Sequence, residues 1–199
     1  MKKIFFIIFF LIFSINLNAG NEAKVYFAGG CFWCMEESFD KVKGVLKTTS
    51  GYSGGHVKNP KYNDVVKNKT GHYETLEIIY DSSKTNFEKL LDYYWLNIDP
   101  FDINGQFCDK GESYKSVIFY QNDHQKKTIE KSIDKIEKNF NKPVVTYVKK
   151  FKKFYPAETY HQDYYEKNFI RYLMYKRACQ REETLNKIWQ RQLWKKFLF

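Results

Sequence analysis

Proline, glycine and cysteine are all scarce in this chain, at 4, 10 and 4 of 199 residues. So little proline and glycine excludes a collagen-like, proline-rich or glycine-rich disordered chain. Four cysteines, spread from Cys31 to Cys179, do not make a disulfide-stapled miniprotein. Long apolar runs are also missing: the strongest, residues 4–15, stops short of the ~20 residues that a membrane-spanning helix needs. There is no Gly-x-Gly-x-x-Gly turn, no phosphate-binding loop, no Cys-x-x-Cys-His and no internal repeat, which removes the commonest dinucleotide, nucleotide and haem sites.

Acidic residues are outnumbered, 23 Asp+Glu against 33 Lys+Arg, for a formal charge of +10. The basic residues are dispersed or gathered in late stretches such as 149–153 and 191–196, without the repeated motifs of a nucleic-acid reader. A solvated basic face is therefore expected, and no nucleic-acid partner.

Residues 1–19 differ from everything after them. Lys2 and Lys3 precede the apolar run 4–15, and Asn16-Leu17-Asn18-Ala19 then leads to Gly20, the order of a secretory signal peptide. Cleavage after Ala19, export, a periplasmic location and no stable membrane span after cleavage are the expectations, with a retained N-terminal anchor as the alternative. All four cysteines lie beyond this segment, so they would meet an oxidising compartment, where redox chemistry or bridging is their natural use.

The remaining chain, residues 20–199, is long enough for one domain with a core. Hydrophobic periodicity predicts strands at 25–28, 45–49, 73–80, 117–120 and 144–148, and helices at 32–41, 86–97 and 123–139. Residues 50–60, rich in glycine and ending in Asn-Pro, read as an irregular connection, and residues from 164 onward as a helical tail. This β-α-β-β-α-β order, followed by a further helix and strand, places the chain in the α+β class. It predicts a single catalytic domain with a core over 24–163, built as a two-layer α/β sandwich on one antiparallel or mixed sheet.

The chemistry is concentrated at Gly29-Gly30-Cys31-Phe32-Trp33-Cys34-Met35-Glu36, where a short strand delivers Cys31 to the first turn of a helix. Orphan N–H groups at a helix N-terminus stabilise a thiolate, so Cys31 is a candidate nucleophile with a depressed pKa. Phe32 and Trp33 can wall an apolar pocket, and Cys34 lies one turn on. A buried structural pair, or half of a zinc site completed by Cys108 and a histidine, accounts for the cysteines equally well. So does a thioredoxin-like disulfide exchanger.

Other segments favour a different reading. They are Gly51-Tyr52-x-Gly54-Gly55, Asn59-Pro60-x-Tyr62, Thr70-Gly71-His72-x-Glu74, Asp99-Pro100, Asp109-x-Gly111-x-x-Tyr114 and Phe154-Tyr155-x-Ala157-Glu158-x-x-His161-Gln162. Together with Gly30-Cys31-Phe32-Trp33 and Glu36, in this order, they closely resemble the peptide methionine sulfoxide reductase A family. The resemblance implies a sandwich around a ferredoxin-like βαββαβ core and thiol-dependent reduction of methionine S-sulfoxide, free or in proteins. It makes Cys31 the nucleophile, Phe32 and Trp33 the hydrophobic cage, Glu74, Tyr62 and Tyr114 the residues that hold the sulfoxide oxygen, and Asp109 a residue that orders the site.

It also implies no bound cofactor or metal, oxidised proteins as substrates and a thioredoxin-like protein as external thiol reductant. A monomer is expected. Cys34 stands where many relatives have glycine, Phe107-Cys108 where Gly-Asn is frequent, and a glycine-rich cysteine-bearing tail is missing. The thiol that resolves a Cys31 sulfenic acid is therefore to be sought among Cys34, Cys108 and Cys179. Cys34 leads because i+3 spacing needs only a local rearrangement.

Overall fold

The computed structural model describes residues 21–190. The expected export segment, 1–19, and the end of the expected tail, 191–199, lie outside the described residues. In chain order the elements are β1 (Glu22–Ala28), α1 (Phe32–Asp40), β2 (Val45–Ser53), α2 (Tyr62–Val65), β3 (Tyr73–Asp81), α3 (Phe87–Trp95), β4 (Gly105–Gln106) and β5 (Asp109–Lys110). There follow β6 (Val117–Tyr120), α4 (Asp123–Phe140), β7 (Tyr147–Lys150), β8 (Phe154–Pro156), α5 (Tyr164–Lys167), α6 (Phe169–Ala178) and α7 (Arg181–Trp189).

Six strands form one mixed sheet in the order β7-β6-β1-β3-β2-β8, antiparallel except between β6 and β7. Strand alternation sorts the side chains. Val25 and Phe27 of β1, Leu76 and Ile78 of β3 and Ile118 of β6 face a helical layer and pack with Met35 and Phe39 of α1, Leu90 and Tyr94 of α3, Ile129 of α4 and Leu185 and Trp189 of α7. Tyr26, Ala28, Tyr73, Val117 and Phe119 point the other way and are covered by Phe151 and Phe154. Each fully buried Phe, Leu or Ile of the main core contributes roughly 1.5–3 kcal/mol.

Helix starts follow local chemistry. Asn86 and Asn122 accept the N–H groups of Lys89 and Gln125 at 2.9 Å, capping α3 and α4. Asn141, left-handed at φ 48°, closes α4.

Two expectations need correction. Residues 50–53 are not irregular: β2 runs to Ser53 because Gly51, Tyr52 and Ser53 pair with Thr75, Glu74 and Tyr73 on one side and with Pro156, Tyr155 and Phe154 of β8 on the other. The strand expected at 144–148 lies at Tyr147–Lys150, where β7 pairs in parallel with β6. The tail from residue 164 is helical through the described residues, in three segments. Asp163 and Gln180 adopt left-handed backbone, and α5, α6 and α7 fold back over α1.

Candidate active site

Strand β1 ends at Gly29-Gly30, and the chain turns directly into α1. Gly30 has φ +78°, and a Cβ there would meet Gln106 Cβ at 2.6 Å, so only glycine makes this turn. The turn sets Cys31 as the N-cap of α1, with its carbonyl accepting from the N–H groups of Cys34 and Met35. Glu74 reaches the same point from β3. It shares the strand face of Leu76 and Ile78, and it is the second residue of β3, where its carboxyl group reaches the start of α1.

The Phe32 N–H donates to Glu74 Oε2 at 3.0 Å. This contact corrects the expectation for Cys31, because the helix-start N–H is taken by a carboxyl group and not by the sulfur. Burial pushes the Cys31 thiol up, with further upward pressure from its hydrogen bond to Cys34. Cys34 is pulled down to about 7, chiefly by that hydrogen bond, against burial and with help from the charge of Arg181. The two buried thiols therefore titrate as one coupled pair, with Cys31 pushed up and Cys34 pulled down.

Glu74 is buried, and desolvation raises its carboxyl well above the ordinary range, with Asp109 and Cys34 adding to the effect. Burial thus favours its protonated form, against the Phe32 N–H, which favours the carboxylate. Burial pushes Tyr62 up to about 12 and Tyr114 further, and the two hydroxyls hydrogen-bond to each other. Both are neutral donors. Asp109 is also raised by burial, and it accepts the Tyr175 hydroxyl at 2.6 Å.

One cavity of about 70 Å³ gathers these groups: Cys31, Phe32, Trp33, Tyr62, Glu74 and Asp109 line it with Tyr114 and Tyr175. The seven positions singled out in the sequence for catalysis or substrate contact thus meet at one point. The aromatic wall is tightly held. Trp33 stacks on Tyr164 at 3.7 Å between centroids and donates its indole N–H to His161 Nδ1 at 3.2 Å. Phe32 packs with Tyr52, Val65 and Ala157. Glu158 accepts the Tyr62 N–H at 3.1 Å and the Tyr52 hydroxyl at 2.9 Å, fixing the start of α2.

The resolving-thiol candidates separate into two kinds. Cys108 and Cys179 are joined as a disulfide, and Cys31 and Cys34 are both buried free thiols. The zinc set of Cys31, Cys34, Cys108 and a histidine is therefore not assembled. The one metal-ligating cluster among the described residues is Cys108, Asp109 and Cys179, whose two sulfurs are bonded to each other.

A family profile described as peptide methionine sulfoxide reductase matches residues 23–193. The chain belongs to the peptide methionine sulfoxide reductase family. It is 49% identical over 167 residues to peptide methionine sulfoxide reductase MsrA 2 of Staphylococcus aureus, covering 83% of this chain and 94% of that one. It is 48% identical over 168 residues to MsrA of Bacillus licheniformis, covering 83% and 93%. The crystal structure of reduced Mxr1 from Saccharomyces cerevisiae superposes with a TM-score of 0.70 at 28% identity, covering 74% of this chain and 86% of that one. Mxr1 has also been crystallised in complex with Trx2.

Within this reductase-family chain, sequence reasoning passed over Tyr175, Tyr172 and Arg181. Tyr172 packs against Cys31 and Cys34, and its hydroxyl donates to Glu37 at 2.6 Å. All three belong to the basic tail, whose charge pattern resembles an ordinary solvated helix. His161 and Glu158 were visible as motif residues, without a signal for what each holds.

Proposed function

We propose that this chain reduces methionine S-sulfoxide, in proteins and as the free amino acid, through Cys31. The observation that carries the reading is the convergence of a thiol, an aromatic cage, a buried carboxyl group whose pKa is raised by desolvation and two tyrosine hydroxyls on one cavity. Methionine sulfoxide presents an apolar methyl group beside a polar S–O bond, and these are the two kinds of wall it needs. Phe32 and Trp33 receive the methyl group, while Glu74, Tyr62 and Tyr114 hold the oxygen and Asp109 orders the site.

Cys31 passes its proton to Cys34 and attacks the sulfoxide sulfur while Glu74 protonates the oxygen. The oxygen is transferred to Cys31: methionine leaves reduced by two electrons, and Cys31 becomes a sulfenic acid. Cys34 then attacks Cys31, forming the S–S bond and breaking the S–O bond, and the proton from Cys34 leaves with the hydroxide as water. The hydrogen bond between the two thiols supports Cys34 in this role, as does the engagement of Cys108 with Cys179. An external dithiol of the thioredoxin type restores the pair, a reading supported by the Mxr1–Trx2 complex.

The basic, apolar and small-residue order of 1–19 supports an exported, periplasmic enzyme that repairs oxidised exported proteins, with a mature N-terminus at Gly20. The order β6-β1-β3-β2, crossed by α1 and α3, supports a ferredoxin-like centre within a single catalytic domain. We take the domain to act as a monomer.

Peptide mapping after one equivalent of sulfoxide without reductant tests the chemistry. One equivalent of methionine and a Cys31–Cys34 disulfide are expected. Turnover retained in Cys31→Ser would overturn the assignment of the nucleophile. A Cys31 disulfide that still forms in Cys34→Ser would transfer the resolving role to another thiol.

A further inference from the structure

Arg181 is the first residue of α7, and its side chain is buried, at 4% exposure. A cation at the start of a helix opposes the helix dipole, and Glu182 and Glu183 in the same turn are the residues that suit it. Helix stability therefore does not account for Arg181. Its guanidinium donates to the carbonyl of Asn97 at 2.6 Å, to that of Gly29 from both terminal nitrogens at 3.3 Å, and to Met35 Sδ at 3.3 Å, and it lies 4.5 Å over the Phe107 ring. Every one of these partners is neutral. Among the described residues no carboxylate forms a salt bridge with it, whereas the nearby amines of Lys41 and Lys176 both pair with Glu37.

A buried charge without a counter-ion is costly unless something in its vicinity becomes negative. What lies there is the dithiol. Arg181 anchors the carbonyl of Gly29, two residues before Cys31, and it lines the same cavity as Cys34, one that shares no lining residue with the sulfoxide pocket. Cys34 and Asp109 both feel its charge. We propose that Arg181 is the fixed counter-charge of the Cys31–Cys34 dithiol, a positioning residue that stabilises the negative charge developing on Cys34 as it gives up its proton and attacks the Cys31 sulfenic acid. The proposal rests on the reading of Cys31 as nucleophile and Cys34 as resolving thiol.

Several groups share control of Cys34. Cys31, Tyr172 and Tyr175 pack around it, and Asp109 and Glu74 oppose its charge. Glu37, Lys41, Lys176 and Glu182 line the outer cavity, with Glu37 already balanced by the two lysines. Arg181 is the cation of this group that has no carboxylate of its own.

The test titrates Cys34 directly. In a Cys31→Ser background with the Cys108–Cys179 disulfide intact, Cys34 is the one remaining thiol, so ultraviolet thiolate absorbance against pH reads it alone. Arg181→Met is expected to raise the midpoint by about one pH unit or more, a tenfold change in proton affinity, and Arg181→Lys to restore most of it. A purely structural arginine would alter melting temperature and leave the midpoint in place, and that result in folded Arg181→Met overturns the proposal.

Should Arg181→Met fail to fold, the more conservative pair Arg181→Gln and Arg181→Lys decides: the neutral Arg181→Gln is expected to titrate about one pH unit above Arg181→Lys, and equal midpoints overturn the proposal. Methionine yield in the first turnover of the protein with Cys31 intact reports separately on the underlying reading. In Arg181→Met that yield is expected to persist while the Cys31 sulfenic acid, trapped with dimedone, accumulates at least tenfold.

Discussion

Removing the Cys108–Cys179 disulfide should loosen the tail from the catalytic pocket, and the cost follows from the length of chain that it closes. The bond joins residues 71 apart. Chain-entropy scaling for a loop of that length gives about 4 kcal/mol of stabilisation at room temperature. For a domain of this size each kcal/mol moves the melting temperature by roughly 2–4 °C, so Cys108→Ser/Cys179→Ser should melt about 10 °C lower.

The bond also has a local consequence. Cys108 adjoins Asp109, and Cys179 lies one turn beyond Tyr175 on α6, so the covalent link flanks the 2.6 Å hydrogen bond between Tyr175 and Asp109. Circular-dichroism melts of the double variant and its parent, both carrying Cys31→Ser and Cys34→Ser so that no other thiol contributes, measure the first effect. First-turnover rates with Cys31 and Cys34 restored measure the second, and a severalfold rise in KM is expected. A melting temperature within about 2 °C of the parent's would refute the entropic reasoning, because α6 and α7 would then be held by packing alone.

Glu74→Gln keeps a hydrogen-bond donor but loses the transferable proton. The first turnover should slow by about 10²-fold, and the fall in rate as pH rises through the raised Glu74 pKa should vanish. A surviving fall in rapid-quench measurements would place the acid elsewhere. Glu36, buried and pushed up by burial to about 8, holds a proton in the folded state that it lacks when unfolded at neutral pH. Its stabilising contribution is therefore full below the unfolded value of about 4.3 and is lost as pH rises through about 8. Glu36→Gln, whose amide oxygen can still accept the Asp163 N–H, should flatten the decline in urea midpoint between about pH 5 and 8, and an equal decline in both proteins would contradict this. His161→Phe leaves the Trp33 indole N–H without its acceptor. A loss of about 1 kcal/mol in cage order should raise KM about fivefold with little change in kcat, as steady-state kinetics would report.

Much of this protein is determined locally. Alternation places Phe27, Leu76 and Ile78 on the helical face of the sheet, helical spacing aligns Leu90, Leu91 and Tyr94, and asparagine caps begin α3 and α4, all within short windows of sequence. Of the pocket residues, Cys31, Phe32 and Trp33 were legible from a cysteine and two aromatics at a helix start, and Tyr62, Glu74, Asp109 and Tyr114 through the ordered motifs that resemble the peptide methionine sulfoxide reductase A family.

What the sequence left open depends on contacts across the chain. Residues 50–53 read as a loop because Gly51, and Gly54-Gly55 just after them, weaken strand propensity, and only β3 and β8 on either side make them a strand. The proton balance of the dithiol could not be read from the helix start, because the Phe32 N–H goes to Glu74, 42 residues away. The pairing of Cys108 with Cys179, the Tyr175–Asp109 bond and the burial of Arg181 were decided when the tail folded back over α1. Charge and periodicity in residues 164–190 describe a helix, but which of its faces meets the thiols is a property of tertiary packing alone.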